Sequence, residues 1–101
     1  MLNAKEAREI MDSVLKKSFN TIEEFIRISA NAGENSITVR WINEERTEDI
    51  KITSDLPVIM TTTKAFENIQ RILKENEYKI KIDQVSQFST TIEEAYMTIS
   101  W

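Results

Sequence analysis

The stretch Phe66–Ile82, FENIQRILKENEYKIKI, decides the fold, because the spacing of its apolar residues changes part-way along it. Its first half has a helical period of about 3.6, and its second half alternates with the period of about 2 that a strand has. The helical positions are Phe66, Ile69, Ile72 and Leu73, and the alternating positions are Tyr78, Ile80 and Ile82. Asn76 lies at the switch, where a left-handed helix end is tolerated. The stretch therefore predicts a helix that runs directly into a strand.

Further segments on both sides of this stretch alternate as strands do. Residues 37–42 place apolar side chains on one side, and residues 95–101 repeat this up to the last residue. Residues 50–53 also alternate and predict a hairpin with 37–42, across the charged loop 44–49. Val58–Met60 is an apolar connector or a short strand.

The opening segment has the pattern of an amphipathic helix. Asn3 followed by Glu6 is typical of a capping box at a helix start. The apolar residues that then recur at helical spacing are Ala4, Ala7, Met11, Val14 and Leu15. Thr21 with Glu24 offers a second helix start, so residues 3–32 form either two helices or one long helix. A single helix of this length would overhang so small a domain and would favour a dimer.

Together these elements have the order α(α)-β-β-α-β-β. We expect a single α+β domain over residues 1–101, with a four-stranded antiparallel sheet and the helices packed on one face. The opening helical segment, about residues 3–32, is a candidate for self-association.

The composition removes most catalytic chemistry. The chain has no Cys and no His, so it lacks a thiolate nucleophile, the usual general base near neutral pH and the commonest metal ligands. Adjacent acids, such as Glu23 with Glu24 or Glu93 with Glu94, diverge in direction, whereas a hard cation needs converging oxygens. We therefore expect that the protein is not an enzyme and uses no cofactor and no metal.

The charge balance limits the class of partner. A net charge of −4, from 13 basic and 17 acidic residues, makes nucleic acid and anionic membranes poor partners. No apolar run approaches the roughly 18 residues of a membrane span. The charged start also lacks the apolar core of a signal peptide. We expect a cytoplasmic protein.

Strand alternation predicts a basic sheet face as well. The side opposite the apolar residues carries several bases, hydroxyl groups and one aromatic ring, and the candidate binding residues are Arg40, Lys51, Lys79, Lys81 and Tyr96. Such a face binds an anionic ligand by charge-assisted hydrogen bonds and stacking, forms a subunit contact, or is only a solvated surface. The sequence leaves these three interpretations open.

A candidate interface comes from the apolar residues. Met11, Val14 and Leu15 belong to the opening helix, which either docks on the sheet or pairs with a second copy. Trp101 ends the last strand, and Trp is over-represented at interface hot spots. From these residues we predict a homodimer.

Three short motifs suggest a family. The opening NAKEARE (3–9), the passage ANAGENSITV (30–39) and the close FSTTIEEAYMTISW (88–101) resemble a loose group of small accessory proteins of tailed bacteriophages. Those proteins commonly start with a helix rich in Lys, Glu and Ala and close on a strand ending Ile-Ser-Trp. Their second helix often ends in Gly-Tyr, whereas this chain has Asn76-Glu77-Tyr78 there. The resemblance implies a viral accessory protein in the host cell and supplies no catalytic residues.

These observations lead to three functional expectations. The first is a non-catalytic accessory protein that binds a host or phage protein. The alternative is a binder of a small anionic ligand, such as a nucleotide signal, through the basic sheet face. The third is a structural component of a virion.

Overall fold

A computed structural model describes residues 1–45, 55–88 and 91–101. Their helices and strands, in chain order, are α1 (Ala4–Asn31), β1 (Ser36–Asn43), β2 (Val58–Thr61), α2 (Thr63–Glu75), β3 (Lys79–Phe88) and β4 (Thr91–Ser100). The expected α+β class is confirmed. The strand predicted at residues 50–53, which includes Lys51, lies outside the described residues.

The sheet formed by the described strands has the order β2-β1-β4-β3. β4 runs antiparallel to both β1 and β3, as expected, but β2 runs parallel to β1. The prediction of a wholly antiparallel sheet was therefore wrong. The reason is that Ile59 and Thr61 of β2 are buried beside Trp41 and Asn43 of β1. Of the two alternatives for this short apolar segment, a connector or a short strand, the structure adopts the strand, which lies beside β1.

α1 is one uninterrupted helix of 28 residues. Ser18 lies inside it and is buried, where a small side chain allows the helix to approach the core closely. The Thr21 hydroxyl does not start a second helix, since it donates a hydrogen bond to the Lys17 carbonyl one turn earlier (3.3 Å). The helix ends before Gly33, whose φ of 81° is a conformation that glycine adopts without strain. The long-helix alternative is the one the structure adopts.

The passage from α2 into β3 lies where the sequence placed it. Asn76 caps the helix, and its side-chain amide donates to the Ile72 carbonyl (2.8 Å). The left-handed residue is Glu77, with φ 71°, and not Asn76 as expected. The Tyr78 N–H then bonds back to the Leu73 carbonyl (3.1 Å), which closes the helix end before the strand starts.

Both helices share one core with a single face of the sheet. Ile22 of α1 and Phe66, Ile69 and Leu73 of α2 pack against the inward side chains of the strands, which are Ile37, Val39, Trp41, Ile59, Ala95, Met97 and Ile99. Cross-strand pairing puts Ile99 between Ile37 and Ile80 in one row across the sheet. Ile99 is fully buried and Ile80 is half-buried, because β3 lies at an edge of the sheet that the described strands form. The opposite side of the sheet is called the outer face below.

Candidate protein-docking site

The first half of α1 projects beyond the core. Every residue from Met1 to Val14 is exposed, whereas Ser18 and Ile22 are buried. A helix of 28 residues is roughly 42 Å long at 1.5 Å per residue, and the longest dimension of the molecule is 49 Å. The sheet therefore supports only the second half of the helix. Residues 4–14, about three turns, are called the overhang below.

Apolar side chains form a stripe on the overhang. It consists of Ala4, Ala7, Met11 and Val14, spaced alternately three and four residues apart, and is called the overhang stripe below. Met11 is 47% and Val14 46% exposed. Two further steps of four residues reach Ser18 and Ile22 on the same side of the helix, and both are buried. One helix face is thus buried at its carboxyl end and exposed at its amino end.

The structure places two further large apolar side chains beside this stripe. Leu2, before the helix start, and Ile10, on the flank of the stripe, are both 55% exposed. Neither residue was predicted from the sequence to lie at an interface. The only signal they give is apolar character next to an amphipathic stripe, and that pattern is also compatible with burial.

A groove marks the point where the overhang meets the core. Leu15, half-buried, stands at its base, with Met11 and Val14 on one wall and Ala65 and Asn68 of α2 on the other. Thr62, Lys64 and Glu44 complete its lining. The groove holds about 240 Å³, which is below the roughly 300 Å³ at which small-molecule sites begin. It suits a side chain from a partner better than a free ligand.

The start of the overhang is fixed locally. The Asn3 side chain accepts a hydrogen bond from the Glu6 N–H and donates one to the Glu6 carboxylate, both at 2.8 Å. The first bond satisfies one N–H that a helix start leaves unpaired, and the second joins the two side chains. The sequence thus specifies a helix start at a point where α1 has no support from the sheet.

Trp101 does not lie with the other candidate interface residues. The backbone N–H of Trp101 donates to the Asn35 carbonyl (3.0 Å), next to the start of β1. Its ring meets Tyr78 edge to face, with centroids 6.5 Å apart. Val14, in contrast, lines a groove with Glu44, just after the end of β1. The structure therefore brings Met11, Val14 and Leu15 together and leaves Trp101, 40% exposed, at the other end of the sheet.

The outer face carries acids beside its bases. Arg40 is buried there and bonds through Nε to the Glu94 carboxylate at 2.5 Å. This hydrogen bond, more than the opposing effect of burial, raises the pKa of Arg40. Tyr96, half-buried, stands between Arg40 and Asp83 in one cross-strand row. The guanidinium of Arg40 is therefore committed to a partner inside the protein.

The two lysines of this face lie on edge strand β3. Lys79 is exposed, and Lys81 lies 3.7 Å from the Asp83 carboxylate with both side chains largely in solvent. Arg40, Lys79, Lys81 and Tyr96 do share the outer face, as the alternation predicted, whereas Lys51 lies outside the described residues. Because Glu94 and Asp83 accompany them, the described part of this face is not strongly basic.

A buried polar network joins β1 to the start of α2. The indole N–H of Trp41 donates to the Thr61 hydroxyl (2.9 Å), which donates to the Thr62 carbonyl (2.9 Å). The Asn43 side-chain amide donates to the Ile92 carbonyl (2.8 Å). The bonds from Trp41 to Thr61 and from Thr61 to Thr62 link β1 to the residue that caps α2, whereas the Asn43 bond links β1 to β4. Because Trp41, Thr61 and Asn43 are buried, these bonds have a structural role.

Tests for other kinds of site are negative in the described ranges. No group of three or more carboxylate side chains there could hold a metal ion. Neither described helix is both long and apolar enough to cross a membrane. Comparison of the chain with known proteins finds no relative: no family model, no curated protein and no solved structure matches it.

Proposed function

We propose that this chain is a non-catalytic protein-binding domain that docks a helix of its partner on the overhang stripe. The observation that carries the proposal is the continuity of one face of α1, which is buried at Ser18 and Ile22 and exposed from Ala4 to Val14. A helix needs a tertiary partner for its apolar face, because propensity alone stabilises short helices poorly in water.

The shape of the site indicates an elongated apolar occupant. The stripe is narrow and follows the helix axis, and the groove at its inner end admits a side chain. A second amphipathic helix lying along the overhang buries Met11 and Val14 and ends where the sheet begins. The short motifs shared with small phage proteins support an accessory role in a host cell, with a host or phage protein as the binding partner.

A site-specific photo-crosslinker tests this proposal. A benzophenone amino acid is incorporated in place of Met11 in one variant and in place of Glu9 in the control variant. Both positions are exposed on the overhang, and the helical spacing puts them on opposite sides of α1. We expect a protein adduct from position 11 in cells, and its loss when Val14→Asp is added. Equal labelling at both positions, or no adduct at either, would contradict the proposal.

A further inference from the structure

We infer that the occupant of the overhang stripe is the overhang of a second copy of this chain, packed antiparallel to the first. This inference rests on the proposed function, since it names the partner of the same site: a second copy of this chain occupies the stripe in place of a different host or phage protein. Three features of the overhang support it: the point at which the sheet begins, the sizes of the stripe residues, and the places of Leu2 and Ile10.

The sheet sets the direction of the partner helix. From Ser18 onward the stripe face of α1 is covered by its own core. A parallel second copy lying on this face would continue into that core, because its α1 also runs on to Asn31. An antiparallel copy lays its own exposed overhang, which has the same length, along the exposed stripe. Only the antiparallel orientation lets both stripes be covered along their full length.

The sizes of the stripe residues match in this orientation. In an antiparallel pair, Ala4 lies opposite the partner's Val14, and Ala7 lies opposite the partner's Met11. Each small side chain therefore faces a large one, which fills the space between the helices evenly. A parallel pair would set Ala4 against Ala4 and Ala7 against Ala7, and would leave voids at the outer end.

The two exposed apolar residues beside the stripe, Leu2 and Ile10, also lie against the second copy in this orientation. Ile10 lies near the middle of the overhang, on its flank, so it comes next to the partner's Ile10 across the two-fold axis. Leu2 lies beyond the helix start and comes level with the partner's groove at Leu15 and Ala65. Both side chains are 55% exposed in one copy. The groove thus receives an apolar side chain from the second chain.

Disulfide trapping tests both the dimer and its direction. The chain has no Cys, so every introduced thiol reports on one position. We expect Ile10→Cys alone to form a disulfide dimer, and Ala7→Cys mixed with Met11→Cys to form mostly the mixed dimer. Mostly homodimers from Ala7→Cys and from Met11→Cys, with little mixed dimer, would overturn the antiparallel orientation.

Light scattering on the Cys-free chain supplies the mass. We expect about twice the 11.8 kDa of one chain at micromolar concentration. Met11→Asp should raise the dissociation constant by at least about tenfold, while Glu9→Lys, on the opposite side of the overhang, should leave it unchanged. Because Met11 is half exposed, the aspartate variant should keep the urea midpoint of the monomer. A wild-type mass of 11.8 kDa at every concentration would overturn the dimer.

The two proposals fail in distinguishable ways. A monomer whose crosslinker at position 11 still labels another protein would remove the self-association and keep the protein-docking function. A monomer with no adduct at position 11 would remove both. A dimer that persists in Met11→Asp would place the self-contact elsewhere and overturn the inference.

Discussion

Trp41 and Phe66 stack face to face, with ring centroids 4.3 Å apart and planes within 4° of parallel. Trp41 lies in the middle of β1 and Phe66 in the first turn of α2, and both are buried. This contact joins the sheet to α2 through two of the largest side chains in the core. It also places the first turn of α2 where Ala65 forms a wall of the groove.

Replacing Phe66 should therefore be costly. Phe66→Ala leaves a cavity beside the Trp41 ring and is expected to lower the free energy of unfolding by about 3–5 kcal/mol. Urea denaturation followed by circular dichroism measures the loss. Ile28→Ala is a suitable control, because Ile28 is an exposed apolar residue of α1. A loss below about 1 kcal/mol for Phe66→Ala would mean that the stack does not hold α2 in place.

A second prediction concerns the Thr61 hydroxyl, which accepts the hydrogen bond from the Trp41 indole. Thr61→Val removes the acceptor of the buried indole N–H and should cost about 1–3 kcal/mol, because that donor is left unpaired. Thr98→Val is the matched control, since the Thr98 hydroxyl lies 3.3 Å from the Thr38 hydroxyl in a less buried row. Urea midpoints should fall clearly for the first variant and little for the second. Similar losses in both would contradict a special role for the Trp41–Thr61 bond.

A third prediction concerns the ion pair between Arg40 and Glu94 on the outer face. Glu94→Gln takes the charge from the partner of Arg40 and should cost about 1.5–3 kcal/mol, since the side chains are only 8% and 13% exposed. Asp83→Asn, in the exposed pair with Lys81, should change stability by less than about 1 kcal/mol. Equal effects in the two variants, measured by urea denaturation, would show that burial does not strengthen the Arg40 pair.

The pH dependence of the Arg40 contribution follows from its raised pKa. A raised pKa stabilises the fold at every pH below the ordinary arginine value and is lost only as the pH rises through the value in the folded state. Arginine stays protonated over the range in which the protein can be studied. Comparison of Arg40→Gln with the parent chain should therefore give the same stability difference at about pH 6 and about pH 9. A difference that shrinks between these values would mean that another titrating group controls the interaction.

The helix cap at Asn3 makes a prediction about the overhang. Asn3→Ala removes the acceptor of the Glu6 N–H and should weaken the helix start by about 0.5–2 kcal/mol. Because residues 1–14 are exposed, the effect in a dilute sample should be a smaller helical circular dichroism signal with an almost unchanged urea midpoint. Thr62→Ala, which removes the matching cap of α2 at the core, should lower the midpoint. An equal shift in both variants would contradict an overhang that is independent of the core.

Local patterns in the sequence were sufficient for the helix-to-strand passage. The spacing of apolar residues changes from helical to alternating between Leu73 and Tyr78. This change depends only on neighbouring residues, so the sequence alone predicts the passage. The parallel pairing of β2 with β1 could not be predicted in this way, because a segment of four residues is too short for its period to show its partner or its direction. That pairing accompanies the burial of Ile59 beside Trp41, a contact between residues distant along the chain.

For the candidate sites, too, the local grouping of residues could be predicted from the sequence, but their tertiary surroundings could not. Helical spacing alone groups Met11, Val14 and Leu15, and the structure keeps them together. Whether their face is covered depends on where the sheet ends, which no local pattern states. The pairing of Arg40 with Glu94 depends on the register between β1 and β4, so the alternation predicted the shared face but not this ion pair.

The reciprocal hydrogen bonds between Asn3 and Glu6 affect both the affinity and the rate of binding to a partner. A segment that folds only on contact loses backbone entropy at that moment, and this weakens binding. A capped overhang has already lost most of that freedom before any encounter, so more of the free energy of apolar contact is retained as affinity. Association should then add little helical signal and should be governed by how fast two preformed surfaces collide in the correct orientation.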